Sequence, residues 1–327
     1  MRRSGAARTR MLVFAAILVV GVAVGAYVSH NWAPDVTVDS LKARWAPPPS
    51  QFVTVDGMPV HLRDEGPRDD PLPIVLLHGT SSSLHTWEGW ADSLRTTRRV
   101  IRFDLPGFGL TGPAPDHDYG VDAYVRFVAH VLDGLGVRRV VLAGNSLGGW
   151  IAWRFAVAHA DRVEALVLVD AAGYPFASQS VPIGFRLARV PGLNVLMQRI
   201  LPRDVVEQSV RSVFGDPSRV TPALVDRYYD LARRAGNRAA LVERFGQLRA
   251  DPDTLAIRSV KAPTLIIWGG SDGLIPSMNA ARFGRDIAGS RVMIYPALGH
   301  VPHEEDPAAT LVALREFLAH AGPVRLK

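Results

Sequence analysis

Gly144-Asn145-Ser146-Leu147-Gly148 stands between an apolar run, Val140–Ala143, and a helical pattern that begins near Leu147. A serine on a tight turn from strand to helix cannot tolerate side chains two residues to either side, where they would meet neighbouring backbone. Glycine at 144 and 148 removes that collision. The turn would lift the Ser146 hydroxyl beside a helix N-terminus, whose first N–H groups lack partners. Serine is a weak nucleophile at neutral pH and needs a base, which itself needs an orienting acid. Two more loops carry those types. Thr264–Trp268 runs into Gly269-Gly270-Ser271-Asp272-Gly273, and Val292–Tyr295 leads to Ala297-Leu298-Gly299-His300. The order serine, acid, histidine, each just past the end of a strand, assigns Ser146 as nucleophile, His300 as base and Asp272 as orienting acid. A developing oxyanion needs N–H donors as well. Leu147 and Thr80 would supply them, the latter from His78-Gly79-Thr80-Ser81-Ser82-Ser83 after the run Ile74–Leu77. This chemistry calls for no metal and no cofactor.

Other residues compete for these roles. Asp170 ends the strand after the Ser146 helix and is an alternative position for the acid; its structural role would be to cap the next turn. His303 is a second candidate base, but it falls where the last helix begins and reads as a surface residue or one behind His300. Asp104, in Asp104-Leu105-Pro106-Gly107-Phe108-Gly109, reads as holding its loop. His78 should pack beneath its turn, and the serines after it should support the loop by hydroxyl–backbone bonds. His85 and Trp87 read as packing or pocket lining.

These loops must be held by a sheet. Gln51–Val55 and Pro59–Arg63 around Asp56-Gly57-Met58 read as a hairpin. Ile74–Leu77, Val100–Phe103, Val140–Ala143, Ala165–Val169, Thr264–Trp268 and Val292–Tyr295 are short, apolar and without polar alternation, as strands covered on both faces are. Helical patterns separate them at Leu84–Leu94, Val121–Leu135, Leu147–Ala158, Met278–Ile287 and Pro307–Ala319. Strict alternation implies a mostly parallel sheet. It breaks between Asp170 and Pro263, where Ile183–Ile200, Val205–Val213 and Pro222–Arg234 read as helices of a cap over the strand ends, where ligands bind in such sheets.

Segment by segment, PIVLLHGTSSSLHTW, DLPGFGLTG, GNSLGGW, LVLVDAAGYP, PTLIIWGGSDGLIP and ALGHVPHEEDP resemble the α/β-hydrolase-1 family over about Phe52 to Leu318. The resemblance implies an α/β-hydrolase fold with a mostly parallel sheet, helices on both faces and a helical cap. It implies an enzyme that cleaves carboxylic esters through an acyl-enzyme, as esterases and lipases do. Serine at 146, where aspartate would form an alkyl ester, speaks against the dehalogenase and epoxide hydrolase branches. A carbon–carbon bond hydrolase of ring-cleavage products, with the same triad and a cationic cap residue for the substrate carboxylate, is the alternative. A silent binding protein on the same fold is a third reading, and retention of all three triad residues opposes it.

Composition sets the location and the partners. Of a formal net charge of +6, four charges are Arg2, Arg3, Arg8 and Arg10, which leaves +2 downstream with no basic block, so nucleic acid is not an expected partner. The absence of cysteine excludes disulfides and thiolate chemistry. Met11 to Val28 is an 18-residue uncharged run behind the arginines. It is longer than the roughly 7–15 apolar residues of a secretory signal and within the about 17–25 of a spanning helix. Residues 1–30 therefore read as a transmembrane signal anchor, with a cleaved signal as the alternative. The arginine flank keeps the N-terminus cytoplasmic and puts the catalytic domain outside, periplasmic or extracellular. Residues 31–50, ending in Pro47-Pro48-Pro49, read as an extended proline-rich tether. Residues 51–327 read as the hydrolase domain, with its cap at about 172–260. The expected partners are a small ester or lipid-like substrate and the membrane. The cap stripe Val181, Ile183, Phe185, Leu187, Val190 and Leu193, with Arg186 and Arg189, reads first as pocket lining and second as a contact with anionic headgroups.

Overall fold

The computed structural model describes residues 3–190, 192–247 and 254–320, with side chains from residue 9 onward. Eight strands form one sheet: β1 (Gln51–Val55), β2 (Met58–Glu65), β3 (Ile74–Leu77), β4 (Val100–Phe103), β5 (Val140–Asn145), β6 (Val163–Val169), β7 (Thr264–Gly269) and β8 (Arg291–Tyr295). Their order is β1-β2-β4-β3-β5-β6-β7-β8. β1 and β2 form the antiparallel hairpin and β2 runs antiparallel to β4; the remaining pairs are parallel.

Apolar runs make the inner strands β3 to β7 because both faces are covered. β8, read from the sequence as covered in the same way, is instead an exposed edge strand, with Val292, Met293 and Ile294 38–46% exposed. Along β5, Val140 and Leu142 join the core that includes Phe127, Ile151, Phe155 and Phe283, while Val141 and Ala143 face Trp87, Trp90, Leu314 and Phe317. Side chains alternate across a strand, so each residue serves one of two helical layers. The register sets Asn145 beside Val169, Val169 beside Ile267 and Gly269 beside Tyr295. The loops after β5, β6, β7 and β8 therefore open along one edge.

Between β6 and β7 lie the helices Ile183–Ala188, Leu193–Leu196, Arg203–Arg211, Pro222–Ala232 and Asn237–Gly246, with no strand among the described residues. The expected helix over Ile183–Ile200 is two short pieces, because Gly192 takes a left-handed φ of 85° between them. The expected helix Leu84–Leu94 begins as a 3-10 turn, Leu84–Trp87. At the N-terminus, Thr9–His30 is a helix of 22 residues with mean hydropathy 2.6 and none of it buried in the protein, long and apolar enough to cross a membrane.

The segment 31–50 departs from the extended spacer that its prolines suggested. Val38–Trp45 is a helix, started by Thr37, whose hydroxyl accepts the Ser40 N–H. It packs on the cap: Arg44 pairs with Asp226 and Asp230, Trp45 Nε1 donates to Asp230, and Leu41 is buried near Leu110 and Leu231. The run of consecutive prolines begins only after this helix, at Pro47.

A buried carboxylate closes the fold beneath the cap. Asp104 accepts hydrogen bonds from His61 Nδ1 at 2.8 Å and from the N–H groups of Leu84 and Leu110 at 2.7 Å each. It holds its own loop, as its sequence setting suggested, and ties it to β2 and to the turn at Leu84. Asp104→Ala should leave those donors buried and unpaired, costing about 3–5 kcal/mol. Thermal unfolding should show this as a drop of several degrees, and an unchanged midpoint would remove Asp104 from that role.

Candidate active site

Ser146 occupies the turn between β5 and the helix Leu147–Ala158 with φ 55° and ψ −113°, a conformation that a side-chain-bearing residue rarely adopts. Its backbone is held from three sides: Ser146 N–H donates to Val169 O, and its carbonyl accepts from Trp150 and Ala172, all at 3.0 Å. The flanking glycines have the clearances the turn requires. A Cβ on Gly144 would strike the Gly148 carbonyl, and one on Gly148 would strike the Leu77 carbonyl. Neither the Leu147 nor the Thr80 N–H has an acceptor among the described residues, and the preceding loop approaches closely enough that a Cβ on Gly79 would come within 3.1 Å of Ser146 Cβ.

His300 and Asp272 meet as the sequence required. His300 Nδ1 lies 2.7 Å from Asp272 Oδ2, and both residues are buried. The other oxygen of Asp272 accepts the N–H groups of Leu274 and Ile275 at 2.8 and 2.9 Å, so the carboxylate cannot swing away from the ring. Ser146 and His300 both line the cavity under the cap, alongside Gly79 and Thr80. The Ser146 hydroxyl has no hydrogen-bond partner among the described residues, in keeping with nucleophile–base contacts that tighten only when substrate is bound.

The rival acid is close at hand. Asp170, Asp272 and His300 place ligating atoms within 4.8 Å of one another. Asp170 Oδ1 accepts the Gly269 N–H at 2.9 Å, while its Oδ2 is buried without a partner. Burial first, and the neighbouring Asp272 charge second, push the Asp170 carboxyl well above the usual carboxylate range. Of the two, Asp272 is the one bonded to the imidazole, and Asp170 is the one suited to stay neutral. Such a cluster has cation-binding spacing, but Asp272 is already taken: its Oδ2 by His300 and its Oδ1 by two backbone N–H groups.

The remaining candidates are structural. His78 sits under its turn, with Nε2 accepting the Leu105 N–H at 2.9 Å; burial lowers its pKa. His303 is fully buried rather than at the surface. It packs 3.9 Å from the Trp87 ring, and burial first, then His300 and Arg227, hold it well below the usual histidine range. His85 bonds the Trp45 carbonyl and, like Trp87, lies outside the cavity lining. The loop serines reach side chains instead of backbone, Ser82 to the Tyr228 hydroxyl at 3.4 Å and Ser83 to His85 at 3.1 Å.

Two supports had not been singled out in the sequence. Asn145 Nδ2 donates to the carbonyls of Val169 and His300, at 3.2 and 3.0 Å, and so fastens the serine turn to the histidine loop. Glu305 accepts the N–H groups of Gly299, Gly215 and Asp216 at 2.7–2.9 Å, and His300 N–H donates to Val213 O, which binds the histidine loop to the cap. A buried polar residue between Gly144 and Ser146, and an acid five residues after the histidine, were the available signals.

The model of the alpha/beta hydrolase fold family matches residues 73–307, and the chain belongs to that family of hydrolases. It is 30% identical over 279 residues to 2-hydroxy-6-oxo-2,4-heptadienoate hydrolase of Pseudomonas putida, covering 82% of this chain and 96% of that one. It is likewise 30% identical to 2-hydroxymuconate semialdehyde hydrolase of Pseudomonas sp. strain CF600, covering 81% and 92%. Among solved structures it is similar to a membrane phospholipase A described as a bacterial virulence factor, with TM-score 0.73 and 26% identity over 98% of this chain and 99% of the other.

A second serine–histidine–aspartate set lies elsewhere: His61 Nε2 is 3.0 Å from Ser50 Oγ, and its Nδ1 is 2.8 Å from Asp104. Phe52 stacks on that ring at 5.1 Å, and Ser50 is absent from the cavity lining. A fluorophosphonate probe should label Ser146 and leave Ser50 untouched; mass spectrometry of the labelled peptide decides, and modification of Ser50 would reverse the choice of site.

Proposed function

We propose that the protein is a membrane-anchored serine hydrolase that cleaves carboxylic esters of lipid-like substrates through an acyl-enzyme. Ser146 attacks the acyl carbon as His300 takes its proton, with the oxyanion held by the N–H groups of Leu147 and Thr80. His300 then returns the proton to the leaving alcohol, and water attacks the acyl-enzyme by the same route. Asp272 fixes the imidazole and stabilises its cationic form.

The observation that carries the ester reading is the cavity wall. Around Ser146 it is built from apolar side chains such as Phe185, Met197, Leu201, Val206 and Val210, and its empty volume is about 1070 Å³ including the open mouth. Arg238 is its one guanidinium among the described residues. Its Nη2 donates to the Asp35 carboxylate and the Ala33 carbonyl, both at 2.7 Å, and its Nε is buried without a partner among the described residues. An acyl chain fits such a wall, and the one cation on it is already paired with Asp35. The likeness to a membrane phospholipase A over nearly the whole chain, apolar helix included, supports the same reading. The two Pseudomonas relatives, which share 30% identity, support carbon–carbon bond hydrolysis as the second reading. For location, the apolar Thr9–His30 helix and the arginines before it support an uncleaved anchor with the domain outside the cytoplasm.

A p-nitrophenyl ester series from acetate to palmitate, run beside a ring-cleavage product, tests the substrate class. At about 0.8 kcal/mol per buried methylene as an upper bound, kcat/KM should rise at least tenfold from acetate to octanoate and vanish in Ser146→Ala. Faster turnover of the ring-cleavage product would establish the second reading instead. Asp272→Asn should lower kcat by roughly 10³–10⁴ through loss of imidazole orientation. Asp170→Asn, a neutral replacement for a carboxyl suited to stay neutral, should keep kcat within about tenfold of the parent. The opposite ranking would exchange the two acids.

A further inference from the structure

The cap helices Ile183–Ala188 and Leu193–Leu196 present two apolar faces. Phe185, Ala188 and Met197 turn inward and line the Ser146 cavity. Val190, Leu193, Val195 and Leu196 lie outside that lining and are 42–64% exposed. Four large aliphatic side chains within seven residues form a patch, whereas a single exposed apolar residue would need no explanation.

The chain leaving the N-terminal helix is fastened to this part of the cap. Trp32 lies opposite Ile200 in an antiparallel bridge; Ala33 N–H donates to Arg199 O at 2.9 Å, and Leu201 N–H to Asn31 O at 3.1 Å. Trp32 is two residues beyond the end of the apolar helix Thr9–His30, whose 22 residues span about 33 Å, the thickness of a hydrocarbon core. Leu196 is one helical turn before Ile200, whose N–H donates to its carbonyl at 2.9 Å. The exposed patch therefore sits within roughly 15–20 Å of the end of the apolar helix along the bonded path. That is the scale of the interfacial layer together with the 5–10 Å to which amphipathic elements sink. Trp32, 53% exposed at the junction, is a residue type that favours this layer. Arg186, Arg189 and Arg199 are exposed around the patch and have no carboxylate partner among the described residues.

We propose that the outer face of the cap, Val190 to Leu196, rests in the phospholipid interface of the bilayer spanned by Thr9–His30. The three arginines would face lipid phosphates, and the wall that separates lipid from Ser146 would be the cap hairpin itself. The proposal rests on the anchored reading of the N-terminal helix.

Because the chain has no cysteine, single-cysteine labelling tests it directly. Full-length Leu196→Cys, Val312→Cys and Leu18→Cys would carry an environment-sensitive fluorophore in phosphatidylcholine–phosphatidylglycerol vesicles containing brominated lipid. Val312 is 55% exposed on the helix Pro307–His320 and Leu18 lies within the apolar helix. The expected result is quenching at 18 and at 196 several-fold above that at 312. Quenching at 18 with 196 at the level of 312 overturns this proposal alone, and absence of quenching at 18 overturns the anchor and the proposal together. A blue shift at 196 that grows with protein concentration without lipid quenching would assign the patch to a second copy, which also overturns it. In a second arm, Val195→Glu and Leu196→Glu should lower turnover of a vesicle-embedded ester at least fivefold while hydrolysis of soluble p-nitrophenyl butyrate stays within twofold. Equal losses on both substrates would mean a folding defect or a pocket role and count against it.

Discussion

Ser146 keeps a left-handed φ because two loops leave room for it. A non-glycine residue held there costs on the order of 1–3 kcal/mol, and it persists only where the surroundings leave the chain no alternative. Here the carbonyl of Ser146 takes two N–H groups, its own N–H is bonded to β6, and the Cβ positions of Gly144, Gly148 and Gly79 are closed off by backbone or by Asn145 and Ser146. The strain is therefore spread over β3, β5 and β6, the middle of the sheet. Once the turn is fixed, the unpartnered N–H of Leu147 and the Ser146 hydroxyl come from one rigid unit. The parallel register then brings the loops after β7 and β8 to the same edge.

Position alone does not make a reactive set, as the two serine–histidine–aspartate constellations demonstrate. Ser50, His61 and Asp104 have bond lengths as good as those of a catalytic relay. Yet Ser50 Oγ also accepts Arg63 Nε at 2.9 Å, and an aromatic ring covers the imidazole. That set fastens the start of β1 to the sheet and lies outside the cavity that Ser146 lines. At Ser146 the hydroxyl and two nearby N–H groups are left unsatisfied beside a cavity. Polar groups kept without partners at a buried site are what separates chemistry from support.

The sheet and its edge were legible because each is encoded locally. Short runs rich in Val, Ile and Leu state a strand, covered on both faces from β3 to β7 but not in the edge strand β8, and glycines around a serine state the elbow. What misled was chemistry with two local meanings. The prolines at 47–49 suggested an extended tether through 31–50, but Thr37 and the amphipathic Val38–Trp45 had already committed the chain to a helix against Asp226 and Asp230. Those partners lie some 180 residues away and leave no mark on the local pattern. His303 looked exposed beside two glutamates, and only the fold brings Trp87 over it. Asp170 and Asp272 cannot be ranked from spacing, since both follow a strand. The ranking comes from which carboxylate meets the ring and which is left buried beside a charge. The stripe Val181 to Leu193 reads from the sequence as one face, with pocket lining and headgroup contact as alternatives; Phe185 lines the cavity while Val190 and Leu193 lie outside its lining and are exposed.

The segment between the apolar helix and the sheet also sets the electrostatics of the cavity. Arg238 is 6% exposed in its side chain, and Asp35, which neutralises it, belongs to residues 31–50 and lies four residues past the turn at Asn31. A substrate carboxylate could take both Nη2 bonds of that guanidinium only by displacing Asp35 and the Ala33 carbonyl. Breaking a largely buried pair of this kind costs about 3–5 kcal/mol before any gain, toward the lower end here because Asp35 is 41% exposed. An uncharged acyl chain carries no such cost and gains from every methylene it buries against Phe185, Met197 and Leu201. The same residues, 31 to 35, that bond the cap beside the apolar helix therefore hold the cavity's cation out of reach. Selection for an apolar substrate and attachment beside the membrane would then rest on one stretch of chain.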